Sequence, residues 1–362
     1  MSDLDGTHML TLESMPNRPC HWLMGEGPKN DILISSRVRL ARNLLAFPFM
    51  SKATEPQREE IQTTLRGRLE KLKEAPGHLY VEMSDADDID RQMLMERHLI
   101  SRQLAAPDGS KGVFITEGED ISVMVNEEDH LRIQAIAPGL QIQECWQKAG
   151  MVDDELEAGL DFAFSDKLGY LTACPTNLGT GLRVSVMVHL PALQLTGKID
   201  QIKQAAKDMR LAIRGLYGEG TEALGDFYQI SNQTTLGRSE QEIIREFNDQ
   251  VVPRILQAES AARELLVEEN SLLIDDRIGR ALGVLSHARL LTAEEALYHL
   301  SYLRLGVTLG RISGLELSNI NNLFLLAQTA HLQKIRGGEL DEATRKAVRA
   351  EFIRQKLSRG NL

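Results

Sequence analysis

The stretch that most limits how this chain can fold is Ile32-Leu-Ile-Ser-Ser-Arg-Val-Arg-Leu-Ala-Arg42. It begins as a short apolar strand and continues with arginines at alternate positions. In a strand, side chains two residues apart share a face, so Arg37 and Arg39 point the same way. Two guanidinium groups that close repel each other unless an anion lies between them. A solvent-facing edge strand accounts for one such arginine better than for the pair.

At 362 residues the chain has room for one large domain and a smaller one. Its 42% hydrophobic and 26% charged content is that of a soluble globular protein. No run approaches the length of a membrane span, and the N-terminus has no secretory pattern. Cys20, Cys145 and Cys174 lie far apart without metal-type spacing, which fits a reducing, cytoplasmic setting. A net charge of −11 argues against a nucleic-acid binder. The segment Lys334–Arg359 runs the other way, with eight Lys/Arg against four Asp/Glu, either as a solvated helical face or as a local anion site.

Chemistry-bearing residues concentrate in three further stretches. Cys174-Pro-Thr-Asn-Leu-Gly-Thr-Gly-Leu-Arg183 lies between two β-like runs, Leu168–Ala173 and Val184–Leu190, which reads as a central hairpin. It combines a thiol, polar side chains, glycines that let backbone N–H groups approach a ligand, and a cationic fork at Arg183. Asn126-Glu-Glu-Asp-His-Leu-Arg132 follows the turn Gly118–Asp120 and the strand Ile121–Val125. Arg214-Gly-Leu-Tyr-Gly-Glu-Gly-Thr-Glu222 comes third. There is no G-x-x-x-x-G-K-[ST] loop, no H-R-D loop and no G-x-G-x-x-G after a strand.

These stretches resemble the signatures of the guanidino (phosphagen) kinases, which phosphorylate a guanidinium nitrogen from ATP. Ser35-Ser-Arg-Val-Arg39 resembles that family's S-x-R-x-R motif. The resemblance implies that Arg37, Arg39, Arg132, Arg183 and Arg214 hold the triphosphate. It implies that Glu128 is the base, that Glu219 is its partner, and that Cys174 assists as a thiolate. It extends the ATP contacts over Ser35, Ser36, Val38, Val184, Ser185, Val186 and Met187, and over Gly215, Leu216, Tyr217, Gly218 and Glu219. Mg²⁺ is expected to be held mainly by the nucleotide phosphates. The histidine that small-guanidine kinases carry in a Gly-(Ile/Val)-(Phe/Trp)-His run has no counterpart in Gly112-Val-Phe-Ile115. His98 could lie near the base instead, or be an ordinary packed histidine.

The remaining pattern is mostly helical. Pro56–Lys73 carries Ile61, Leu65, Leu69 and Leu72 on one stripe, and a second helix is expected over Ile89–Leu104. Ile142–Ala149 and Asp153–Leu160 read as two helices. Leu193–Leu216 reads as a helix followed by an apolar strand, Phe227–Asn232 as a strand and Ser239–Leu266 as one long helix. Beyond residue 266, helical periodicity is expected near 272–289, 292–304, 316–332 and 340–357. The expected fold is α+β: a catalytic domain over 1–266, with a large antiparallel sheet flanked by helices and an irregular lead-in to residue 30, then a small all-α domain over 267–362.

Creatine- and arginine-type kinases place a helical domain before the catalytic one, and Ser35 leaves no room for it here. With the helical domain afterwards, the layout resembles the bacterial protein-arginine kinases. That resemblance implies a site open to arginine in a protein, a role in marking proteins for regulated proteolysis under stress, an activator protein, a Clp-type protease system and a homodimer. It also implies a phosphoarginine-binding R-D-x-x-R-A helix, matched by Arg345-Lys-Ala-Val-Arg349-Ala with Lys346 in place of the Asp. A kinase of free arginine or another small guanidine, and a non-catalytic adaptor, are the competing readings.

Overall fold

The structure is a computed structural model that describes residues 10–73, 75, 77–215 and 224–358. Ten strands occur among them: β1 Leu33–Arg42, β2 His78–Glu82, β3 Gly112–Thr116, β4 Ile121–Val125, β5 Leu131–Pro138, β6 Phe164–Ser165, β7 Gly169–Tyr170, β8 Leu182–His189, β9 Leu211–Arg214 and β10 Phe227–Asn232. Eight form one sheet in the order β2-β3-β4-β5-β1-β8-β10-β9, with antiparallel pairing throughout. The helices of the catalytic part are α1 Glu55–Leu69, α2 Asp88–Glu96, α3 Ile142–Glu157, α4 Pro191–Leu195, α5 Ile199–Asp208, α6 Glu240–Glu246 and α7 Val252–Glu269. Then come α8 Ser271–His287, α9 Ala293–Thr308, α10 Leu317–Leu326, α11 Thr329–Arg336 and α12 Glu342–Ser358. This is an α+β catalytic unit followed by a small all-α unit. None of these helices is long and apolar enough to cross a membrane.

The two faces of the sheet differ in kind. Val38, Leu40, Val123, Ile133, Val184 and Ile230 pack with α1, α3, α6 and α7 into the largest apolar core. The alternate residues put Arg132, Arg37, Arg39, Arg183 and Ser185 on the other face. One row across it reads Gln134, Arg39, Arg183, and the next reads Ile136, Arg37, Ser185, Ser231. Further along, the same face turns apolar at Met187 and Phe227, and these two join Ile136 in a second core with α9 and α10. The Phe227 and Phe324 rings meet edge-on at 4.6 Å. The C-terminal helices thus cover the face that carries the arginines, leaving the arginine end open.

Polar clamps hold this cover in place. Buried Arg304 on α9 donates to the carbonyl of Asp31 (2.9 Å) and to His189 Nδ1 (2.9 Å), and His189 Nε2 in turn meets Ser301 Oγ at 2.8 Å. On the opposite side, Glu96 at the end of α2 accepts the backbone N–H groups of Ala330 (2.9 Å) and His331 (3.1 Å). A carboxylate from the catalytic part therefore caps a helix of the C-terminal part.

Several sequence expectations need correction. Leu168–Ala173 and Val184–Leu190 do not pair as a hairpin. Only Gly169–Tyr170 is strand, in a two-residue ladder with β6, while β8 lies between β1 and β10. β8 is buried at every position but Arg183, so its backbone N–H and C=O groups need partners on both edges. The helix expected over Ile89–Leu104 stops at Glu96 because His98 adopts a left-handed conformation, φ 60°. Ile142–Glu157 is one helix rather than two, since burial of Ala149, Val152 and Leu156 overrides Gly150. Residues 316–332 divide into α10 and α11.

Candidate active site

The β4–β5 turn shows how one motif splits its labour. Asn126, at φ 57°, turns the chain, and its Nδ2 donates to the carbonyls of Arg58 and Ser110, each at 2.8 Å. His130 accepts the Leu44 N–H at Nδ1 (3.0 Å) and donates from Nε2 to Pro48 O (3.0 Å). It is a neutral wedge, and burial pushes its pKa down. Glu127 is buried and binds Arg132 Nη1 at 2.7 Å. Glu128 remains partly exposed and accepts Arg132 Nη2 at 3.1 Å. Its pKa is raised, first by loss of water, with Arg132 opposing and Asp129 and Glu127 reinforcing.

Asp129 ties this turn to the Cys174 loop. Its Oδ1 accepts Asn43 Nδ2 at 2.6 Å and the backbone N–H of Ala173 at 2.7 Å. The neighbours of these two linked residues are Glu128 and Cys174. The loop itself is a short 3₁₀ turn, Pro175–Asn177, and Cys174 Sγ lies 3.0 Å from Thr176 Oγ1. It returns to β8 through Gly181, φ 66°, where a Cβ would come within 2.5 Å of the Ala41 carbonyl. Thr235 Oγ1 pins the loop from beyond β10 by donating to Leu178 O at 2.6 Å.

The arginine face is strained in the electrostatic sense. Burial, and then the guanidinium groups of Arg183, Arg132 and Arg214, lower the Arg37 pKa to about 10. Arg39 is pushed well below its usual value by burial and then by Arg37, Arg132 and Arg183. Its Nε is buried without a hydrogen-bond partner among the described residues. Groups in this state fit a polyanion in their midst, as the donor atoms for it are already in place. A cleft of about 930 Å³ opens over them, bordered by Glu128, Cys174, Arg214, His98, Met95 and Gln328.

Some expected contacts fall elsewhere. Val38, Val184 and Val186 turn into the apolar core, so any contribution they make to a ligand is limited to backbone. Ser36 Oγ is used between the Gly139 carbonyl (2.8 Å) and the Gln141 N–H (2.9 Å). Met187 lies under the C-terminal helices, and Ser35 is buried opposite it in the β1–β8 register. Leu216, Tyr217, Gly218 and Glu219 lie outside the described residues, and Arg214 and Gly215 lead up to them. His98 does border the cleft. Its ring meets Trp22 edge-on at 4.9 Å, its carbonyl accepts Gln134 Nε2 at 2.7 Å, and burial beside Arg37 and Arg39 lowers its pKa to about 3. Arg349 is buried, donating to Ala327 O at 2.6 Å and Leu291 O at 3.0 Å, whereas Arg345 is half-exposed one turn earlier. The two are therefore not presented as a matched pair of forks. The buried roles of Glu127, Asp129 and Gln134 were not foreseen, although the first two lie inside a recognised motif.

Residues 60–262 match the ATP:guanido phosphotransferase C-terminal catalytic domain, and residues 271–361 match the C-terminal domain of the protein-arginine kinase McsB. A protein-arginine kinase of Halothermothrix orenii is 46% identical over 338 residues, 93% of this chain and 96% of the relative. One from Symbiobacterium thermophilum is 47% identical over 340 residues, with the same coverage. The chain belongs to the protein-arginine kinase family. Among solved structures, this protein-arginine kinase family member is similar to lombricine kinase, with a TM-score of 0.56 and 25% identity over 72% of this chain and 71% of the other. A duplicated taurocyamine kinase from Schistosoma mansoni gives 0.58 and 27% over 70% of this chain and 36% of the longer one. The catalytic fold is thus shared with lombricine kinase and taurocyamine kinase, and the C-terminal match is to protein-arginine kinases.

Proposed function

We propose that Glu128 removes the proton from a protein arginine as that guanidinium attacks the γ-phosphorus of ATP. The chain is an ATP-dependent protein-arginine kinase. In the step, an N–P bond forms, the bond from the γ-phosphorus to the bridging oxygen breaks, ADP leaves and Glu128 takes the proton. A guanidinium is a poor nucleophile because its lone pairs are delocalised, so a carboxylate must both orient and deprotonate it. The observation that carries this reading is the juxtaposition of Glu128 with an arginine face that includes an unpartnered Nε on Arg39. Arg37, Arg39, Arg132, Arg183 and Arg214 would grip the triphosphate, and Cys174 would lie against the substrate guanidinium. Glu219 would supply the second carboxylate, on motif resemblance alone.

Mg²⁺ would supply charge neutralisation on the nucleotide phosphates. Resemblance supports phosphate oxygens as its principal ligands. Resemblance supports a homodimer, an activator protein and a Clp-type protease acting on phosphorylated proteins in a stress response. It also supports phosphoarginine as an effector at α12, where Arg345 is the accessible fork and Arg349 would have to leave Ala327 and Leu291 to join it.

Incubation with ATP–Mg²⁺ and an unrelated protein should yield acid-labile phosphate on arginine, at a rate well above that for free arginine at equal concentration. Equal or faster phosphorylation of free arginine would overturn the protein preference.

A further inference from the structure

The boundary between the arginines and the C-terminal helices has a consequence for nucleotide binding. On the arginine face, Ser185 is followed two residues later by Met187, and Gln229 is preceded by Phe227. Met187 and Phe227 are buried under α9 and α10, so the cleft ends where this cover begins. Gln328 and Thr329 of the α10–α11 junction border the cleft, as do Gln92 and Met95 of the adjoining α2. Both family matches leave this arrangement open, since Gln328 and Thr329 fall in the C-terminal match rather than the catalytic one.

The lining is of two kinds. The guanidinium groups suit phosphates. The thioether and aliphatic side chains of Met95, Ile100 and Met124 and the amides of Gln92 and Gln328 also border the cleft, and Met124 lies beside Arg132 across the β4–β5 ladder. Apolar walls with a few polar edge contacts suit a flat heteroaromatic base. A glutamine amide can pair with the N6 amine and N7 of adenine. Gln328 Nε2 already donates to Phe324 O at 2.8 Å, so its Oε1 is the atom available to accept.

The junction is held from both sides. Glu96 caps α11 and also meets His331 Nδ1 at 2.7 Å, and Lys334 of α11 pairs with Asp90 of α2. From behind, Arg349 of α12 fixes the Ala327 carbonyl at 2.6 Å and reaches Thr329 Oγ1 at 3.5 Å. A wall braced in this way is set in place before a ligand arrives.

We propose that the α10–α11 junction of the C-terminal domain, at Gln328 and Thr329, is part of the nucleotide site and contacts the nucleoside end of ATP. This rests on the reading of the cleft as the ATP site. The site of transfer would then be built from both domains, the phosphates on the sheet and the base against the C-terminal helices.

The test uses the full chain and two probes, ADP and inorganic tripolyphosphate, the second having no nucleoside. Calorimetry on Gln328→Ala should show ADP bound at least fivefold more weakly and tripolyphosphate bound as in the wild type. Gln328→Met keeps the side-chain length while removing its hydrogen bonds, and should reproduce the loss if Gln328→Ala proves unstable. Thr329→Val should weaken ADP selectively as well. Unchanged ADP affinity in folded variants overturns the proposal, and so does equal weakening of both probes, which would mean a general distortion of the cleft. A wild-type chain that binds tripolyphosphate but not ADP would overturn the ATP reading of the cleft itself.

Discussion

Arg132 donates to Glu128 at 3.1 Å, a contact of the same kind that a substrate guanidinium must make with that carboxylate. The arginine is anchored at its other nitrogen by buried Glu127, at 2.7 Å, so it need not follow when Glu128 changes partner. If Glu128 is the base proposed above, a substrate arginine would exchange with this guanidinium of the protein's own.

This arrangement fixes the sign of two pH effects. Glu128 works as a base only when ionised, so activity falls as pH drops through its raised pKa. Glu127 raises that pKa and Arg132 lowers it. Glu127→Gln should move the acid limb of kcat/KM to lower pH, and Arg132→Gln should move it to higher pH, whatever each does to the maximal rate. Limbs that shift together, or not at all, would remove Glu128 from the base role.

Arg39 supplies a test of the anion site. Its charged form is disfavoured in the fold, because burial and its neighbours push its pKa well below the unfolded value. The apo protein should therefore gain thermal stability from Arg39→Gln, while a saturating polyphosphate should raise the wild-type Tm by about 5 °C and the variant's by much less. A variant that melts lower without ligand and responds equally to polyphosphate would show that Arg39 is not part of an anion site.

Trp22 is a built-in reporter, since its indole packs on His98 at the edge of the cleft. The other tryptophan, Trp146, donates to Glu240 at 3.1 Å on the far side of the sheet. ADP should change the intrinsic fluorescence of wild type and Trp146→Phe but leave Trp22→Phe silent. A signal that survives in Trp22→Phe would place the nucleotide away from His98.

Asp129 holds the Glu128 turn and the Cys174 loop in fixed relation, so Asp129→Ala should lower kcat by roughly ten- to a hundredfold. ADP affinity should stay close to wild type because no arginine is disturbed. Asp129→Asn keeps an acceptor oxygen and should recover most of the rate. Equal damage from both substitutions would argue that the carboxylate charge, not the tether, is what matters.

The residues legible in the sequence were those whose local pattern carries their chemistry. Arg37 and Arg39 could be assigned to one face from spacing alone, and β10 runs over Phe227–Asn232 as read. What escaped depends on partners distant in the chain. The end of α10 and the restart at α11 were hidden because the cap of α11 is Glu96, more than two hundred residues earlier. β5 was missed because its first residues complete the Asn126–Arg132 motif, and no strand was read directly beyond that motif. Asp153 suggested a new helix start, yet it lies inside α3, where it pairs with buried Arg42 at 2.6 Å. The burial of Arg349 had no local signal, since the carbonyls that hold it belong to two other helices' ends.

The alternation along β1 also bears on how this lineage can change length. A single residue inserted between Leu33 and Arg42 would rotate every side chain beyond it to the opposite face, sending Arg37 or Arg39 into the core with Val184 and Ile133 and bringing leucine into the cleft. Insertions in the connection between α2 and β3 cross no such ladder. Related sequences should therefore differ in length at such connections and hold constant length through β1, β8 and β10, whatever else has drifted.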